Sequence, residues 1–230
     1  MAVGKRPRTP FHDQFPTWGD LAREQLRRLG VPYFSDVQKQ VTERLERLGA
    51  VHRRAFALAC ADRLLTRHER LPEERRKRFT LSWRPVLDQM WAGIENDSEE
   101  VRQEVRLVLQ PVRASLRAGA RETDGDGDAD EDAAAACIHA AECYLAGDVQ
   151  SPHWAANRAF EAAFFLAEED LQLDPNDFEW DPAAEPMPLV KEIMHPVVQQ
   201  ELRRQLSDLH LLETNGVNAG VILQLRGIVS

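Results

Sequence analysis

The residues best suited to bind a metal ion lie in an alanine-rich run in the second half of the chain. His139 and Cys143 are four residues apart, which places both on one helix face, and His153 follows on the next predicted helix. Such a pair supplies two of the four ligands that zinc usually takes. However, the chain has no CxxC or HExxH motif, and a cysteine among alanines is typical of a buried, reduced thiol. We predict no metal or cofactor, and we keep an enzyme or metal-binding helical protein using these three residues as an alternative hypothesis.

Motifs for nucleophilic and phosphate chemistry are missing from the sequence. It contains no GxSxG turn and no glycine-rich phosphate loop,. Glu168, Glu169, Asp170, His195 and His210 could converge on an acid–base site, but no spacing requires them to,. We therefore predict a non-enzymatic protein.

The segment TDGDGDADED superficially resembles a calcium-binding loop. Asp124, Asp126 and Asp128 alternate as calcium ligands do, but alanine stands at the sixth position, where glycine is needed, and again at the twelfth, where a carboxylate is needed,. Like charges with almost no apolar residues favour a solvated segment. We predict an acidic linker over residues 122–132.

A basic cluster, Arg75, Arg76, Lys77 and Arg78, could contact the phosphates of a nucleic acid,. The net charge of −9 and the lack of interleaved aromatic residues for base stacking argue against such a role. Nucleic-acid binding is therefore the second alternative hypothesis.

Two opposite charges interrupt the most apolar stretch of the chain, AFALACADRLL. Asp62 and Arg63 are adjacent, and neighbours in a helix point about 100° apart, so they are not each other's partners. We predict that Arg63 lies at the rim of the helical core and pairs with an acceptor on another helix, in the acidic half of the chain. Asp62 is predicted to cap a neighbouring helix. Both are interpreted as structural charge pairing.

The charges divide sharply along the chain. Residues 1–121 carry 24 Lys and Arg against 16 Asp and Glu, whereas residues 122–230 carry 5 against 22. An exposed acidic face of this kind would attract a basic partner by long-range electrostatics. Three cysteines, no long apolar run and no apolar stretch after the basic N-terminus predict a cytoplasmic protein without a secretory signal or membrane span,.

The elements that must position these residues are helices. Apolar residues recur at helical spacing from residue 17 to near the end, and strand patterns are almost absent,. The stripe over residues 50–69 is so wide that this helix should be central. We predict an all-α bundle of about eight helices: a flexible tail at 1–16, then one helical domain over 17–230 that ends in a short apolar tail.

The stretches AFALACADRLL, LSWRPVLDQMW, CIHAAECYL and NGVNAGVILQL carry a family resemblance. The matching positions are Phe56, Arg63, Leu87, Asp88, Trp91, residues 138–141, Asn218, Gly220 and Gln224. Over about residues 45–230 the chain resembles a family of small helical proteins of bacteria, catalogued as domain of unknown function 416. The resemblance implies an all-helical fold in the bacterial cytoplasm, and it implies no activity or catalytic residue.

We therefore predict a protein-interaction module whose role could be that of an immunity-type protein or of a regulatory protein. Its acidic C-terminal half would bind a basic protein partner, because complementary charge accelerates capture. Phe178 and Trp180 would act as aromatic anchors among carboxylates. The predicted partner-binding residues are Glu168, Glu169, Asp170, Asp174, Asp177, Phe178, Glu179, Trp180 and Asp181.

Overall fold

A computed structural model describes residues 17–76, 83–119, 129–172 and 186–228. These ranges contain ten α-helices and no strand, which confirms the all-α prediction. The helices are α1 Trp18–Arg28, α2 Phe34–Arg47, α3 Ala50–Glu69, α4 Trp83–Ala92, α5 Glu99–Gly119, α6 Ala129–Ala146, α7 Gln150–Leu171, α8 Pro188–Met194, α9 Pro196–Asn215 and α10 Ala219–Leu225. A short 3-10 helix, Glu73–Arg75, follows α3. No helix among the described residues is both long enough and apolar enough to cross a membrane.

Helix α3 is the centre of the bundle, as its wide apolar stripe predicts. Twelve of its 20 residues are buried, and it packs against α4, α6, α7, α9 and α10. Many of the buried side chains of α3 and α6 are alanines, among them Ala55, Ala59, Ala136 and Ala140. Small side chains allow neighbouring helix axes to come close while the interior stays densely packed.

The first two helices join the bundle in different ways. Helix α2 contributes Val37, Val41 and Leu45 to the main core. Helix α1 instead packs against α8, where Ala22, Leu26 and the 187–193 segment form a separate small apolar cluster. The main bundle therefore begins at α2, with α1 and α8 as an added layer.

Two differences from the predicted element order come from local chain chemistry. The stretch LVKEIMHPVVQQELRRQLSDLHLLE predicts one long helix kinked near Pro196. The chain instead forms two helices separated by His195, whose φ of −56° and ψ of 137° are not helical. Proline disfavours helical geometry in the residue before it. The expected apolar tail is helix α10, because the Asn218 side chain accepts a hydrogen bond from the Val221 amide at 3.1 Å and caps it,.

Helix α6 begins inside the acidic segment. Its first residue is Ala129, so residues 129–132 of the predicted linker are helical. Carboxylates are favourable in the first turn of a helix because the amide dipoles point towards them. Asp132, at the end of that turn, is buried and lies 3.3 Å from Arg158 Nη1.

Candidate functional site

The adjacent charges of α3 face different partners. Asp62 is buried, and its carboxylate accepts hydrogen bonds from Trp91 Nε1 at 3.0 Å, from Arg226 Nε at 3.1 Å and from Arg84 Nη1. Arg84 also binds Glu69 through two bonds of 2.8 Å. The Asp62 carboxylate thus joins α3 to α4 and to the chain just after α10. The prediction that Asp62 caps a neighbouring helix is wrong, because these partners are side chains and not backbone amides.

Arg63 reaches in another direction, to α9. Its guanidinium donates to Asp208 at 2.6 Å and to Glu201 at 3.0 Å. Asp208 is almost fully buried, and burial raises the pKa of its carboxyl, although the nearby Arg63 and Arg204 oppose that rise,. Both carboxylates belong to the acidic half of the chain, and this pairing ties the two halves together.

Further arginines of the basic half neutralise carboxylates of the acidic half. Arg44 forms a two-pronged pair with Glu213 at 2.6 and 2.8 Å, and Arg113 contacts Glu142. Together with Glu201 and Asp208, four carboxylates from residues 122–230 are thereby paired with arginines from residues 1–121. Part of the charge division in the sequence is therefore compensated inside the described bundle, and one smaller area of it keeps carboxylates without an ion pair.

That smaller area is the acidic end of α7, which we define as Glu168, Glu169, Asp170 and the neighbouring Glu192 of α8. Glu192 is only 8% exposed. Burial and then repulsion by Glu168 raise the pKa of its carboxyl to about 7, and burial also raises the pKa of Glu168. Within the described ranges, neither Glu168 nor Glu192 has an ion pair or a side-chain hydrogen bond. Asp170 is exposed and lies 3.6 Å from His195 Nε2.

The other predicted partner-binding residues lie outside the described residues. They are Asp174, Asp177, Phe178, Glu179, Trp180 and Asp181. The structure therefore places three of the nine, Glu168, Glu169 and Asp170, on one helix end.

An apolar groove of about 200 Å³ runs beside this end, between the start of α2, the middle of α7 and α8. We call it the aromatic groove; its apolar lining is Tyr33, Phe34, Phe160, Phe164, Phe165, Leu189 and Ile193. Phe34 stacks on Phe160 with ring centres 3.7 Å apart, and Phe165 is 36% exposed. Glu161, which pairs with Arg158, also lines the groove. Glu168 lies about two helical turns further along the same face of α7, so one carboxylate belongs to the groove and another lies beyond its end.

Sequence reasoning missed the aromatic groove and Glu192. The signal that could have indicated the groove is the doublet Phe164–Phe165, because adjacent helix positions point about 100° apart and a helix packed mainly on one side exposes one of the two. Glu192 gave no comparable signal, since its burial depends on how the short helix α8 lies against α7.

The candidate metal ligands have separate partners. His139 Nδ1 lies 3.0 Å from Glu142, while His153 Nδ1 lies 3.0 Å from Thr42 Oγ1. Burial raises the pKa of the Cys143 thiol to about 12, as is typical of a buried cysteine with a structural role,. No group of three or more His, Cys, Asp or Glu side chains in the described part of the chain is arranged to hold a metal ion.

The basic cluster is described only in part. Arg76 donates to the Leu71 carbonyl at 2.6 Å and so helps to close the turn after α3. The side chain of Arg75, together with Lys77 and Arg78, lies outside the described part of the structure.

The raised pKa of Glu192 predicts a pH-dependent stability. In the folded state the Glu192 carboxyl stays protonated up to about pH 7, whereas in the unfolded chain a glutamate loses its proton near pH 4.3. The contribution of Glu192 to the stability of the fold is therefore fully present below about pH 4.3 and is lost as the pH rises through about 7. We expect Glu192→Gln to raise the free energy of unfolding at pH 8 by about 1–2 kcal/mol and to change it little at pH 4. This value is smaller than the full pKa shift would give, because solvent screens part of the charge.

Urea unfolding at both pH values checks this expectation. Glu104→Gln, at an exposed position of α5, is the matched control and should shift neither curve relative to the wild type. Equal stabilisation by Glu192→Gln at pH 4 and pH 8 would show that the effect is not ionisation.

Comparisons with known proteins returned no similarity. No family model matches the chain, and no match was found among curated proteins or solved structures.

Proposed function

We propose that this protein is a non-enzymatic interaction module that binds a basic protein partner through the acidic end of α7 and the aromatic groove. The observation that carries the proposal is the pair Glu168 and Glu192, two carboxylates that repel each other beside an apolar groove. A cationic side chain of a partner would relieve that repulsion. Apolar side chains of the same partner would occupy the groove, where aromatic residues give large contact energies.

This surface suits a basic amphipathic segment. Such a segment has an apolar stripe to insert and flanking lysines or arginines to meet the carboxylate border. An immunity-type or regulatory protein that covers a basic surface of its target would use this arrangement. We place the interaction in the bacterial cytoplasm, since the three free cysteines are buried and unpaired, as is typical of a reducing compartment.

The likeness to the domain of unknown function 416 family belongs to the same proposal. Its support is that three of the residues that carry it contribute to the polar contacts around α3. Arg63 pairs with Asp208, Asp88 pairs with Arg226, and the Trp91 indole donates a hydrogen bond to Asp62. Residues that fix helix positions in this way would be retained by proteins that share the fold.

The experiment is affinity purification at low salt with tagged wild type, Glu168→Lys and the matched control Glu104→Lys, followed by mass spectrometry. We expect one basic protein to co-purify in stoichiometric amount with the wild type and with the control. This partner should be released as the salt concentration rises to about 0.5 M, and it should not co-purify with Glu168→Lys. Circular dichroism verifies that all three proteins fold. A partner retained equally by Glu168→Lys, or a wild type that purifies alone, would contradict the proposal.

A further inference from the structure

A second concave surface lies on another side of α7, away from the aromatic groove. It is a pocket of about 270 Å³ between α3, α7, α9 and the chain after α10. Four guanidinium groups line it, together with the Glu201 carboxylate that pairs with Arg63, the Gln200 amide and several apolar side chains. We call it the arginine pocket, and its arginines are Arg63, Arg67, Arg204 and Arg226.

Three of these arginines are fixed by carboxylates. Arg63 pairs with Glu201 and Asp208, and Arg226 pairs with Asp62. Arg204 Nε lies 2.9 Å from Asp208 Oδ1 without hydrogen-bond geometry, and its Nη2 donates to the Gln224 carbonyl at 2.7 Å. Groups held in this way are ordered before a ligand arrives, which reduces the entropy lost on binding.

Arg67 differs from the other three. Its side chain is half-buried, yet among the described residues no carboxylate lies within ion-pair distance of it and no hydrogen bond satisfies it. Its electrostatic attraction comes from Glu169 and Glu201, and burial outweighs that attraction, which lowers its pKa. A partly desolvated guanidinium without a bonded anion is costly.

We propose that the arginine pocket binds a small organic anion whose carboxylate or phosphate group pairs with Arg67. A guanidinium presents parallel N–H donors that match either oxyanion. The size of the pocket, at the lower limit for small-molecule sites, restricts the ligand to a compact body. Leu64, Val197 and Leu225 in the wall favour a body that is apolar,.

The binding experiment uses calorimetry with phenyl phosphate, benzoate and the neutral benzyl alcohol. We expect saturable binding of at least one of the two anions, no binding of the alcohol, and at least a tenfold weaker affinity for the Arg67→Gln variant. Comparing the affinity for phenyl phosphate with that for benzoate shows whether the pocket prefers a phosphate or a carboxylate. Arg203→Gln, at an exposed position of α9, is the matched control and should bind as the wild type does.

Three outcomes would overturn the proposal: no saturable binding of either anion, equal binding by Arg67→Gln, or equal weakening by Arg203→Gln. A second readout, without ligand, separates binding from a structural role. The urea midpoint of Arg67→Gln should equal or exceed that of the wild type, whereas Arg63→Gln, which breaks buried ion pairs, should lower it. A midpoint for Arg67→Gln as low as that of Arg63→Gln would mean that Arg67 only supports the fold.

Discussion

Replacing Asp62 with alanine is expected to lower the free energy of unfolding by about 3–5 kcal/mol, the range found when one partner of a buried ion pair is removed. The carboxylate is almost completely buried and serves Arg84, Arg226 and the Trp91 indole at once. Without it, the Arg84 and Arg226 guanidinium groups, which are about three-quarters buried, keep only Glu69 and Asp88 as carboxylate partners. Urea unfolding followed by circular dichroism measures the effect.

Asp88→Ala is the matched control. Asp88 binds the same Arg226, but its side chain is 48% exposed, so its loss should cost less than about 1 kcal/mol. If the two variants were equally stable, Asp62 could not be the junction at which α3, α4 and the chain after α10 are held.

The second large effect is expected at Gly93. A Cβ atom there would lie 2.6 Å from the Tyr144 hydroxyl and 3.3 Å from the Gln89 carbonyl, both too close for normal packing. Tyr144 is fully buried and donates to the Gly93 carbonyl at 3.1 Å, so it has little freedom to move. We expect Gly93→Ala to lower the free energy of unfolding by about 2–3 kcal/mol.

A double variant identifies the cause. Tyr144→Phe alone should cost about 1 kcal/mol through the lost hydrogen bond, but it also removes the oxygen that the new methyl would strike. The double variant should therefore lose less stability than the two single variants together. Gly19→Ala, where the nearest atom is 3.4 Å from the added Cβ, is the control and should change stability by less than about 1 kcal/mol. Additive losses would rule out this contact.

The central position of α3 could be predicted because its apolar residues cover most of the helix surface, and such a helix must be surrounded. The close approach of the Tyr144 hydroxyl to Gly93 could not be predicted in the same way. Within the run LSWRPVLDQMWAGIE, glycine is equally compatible with a simple helix end, and the Tyr144 ring comes from a helix about 50 residues later. Contacts of that kind depend on how helices are arranged, which periodicity does not specify.

The same distinction applies to the candidate site. Helical geometry was sufficient to predict that Asp62 and Arg63 point apart. Charge counting predicted a broad acidic face, but counting does not show which arginine reaches which carboxylate. Arg44, Arg63 and Arg113 each bridge to a helix of the other half, and these pairs neutralise part of the acidic half within the described residues.

The distance along the chain between the charged partners has a consequence for how the protein folds. Arg226 and Asp62 are 164 residues apart, and Arg63 and Asp208 are 145 apart. Contacts between such distant residues require the closure of long loops, which slows the search for the native state. During synthesis, α3 emerges from the ribosome long before α9 and α10 can supply its counter-charges. The charged side chains of the central helix can therefore reach their native partners only after α9 and the residues that follow α10 have been synthesised.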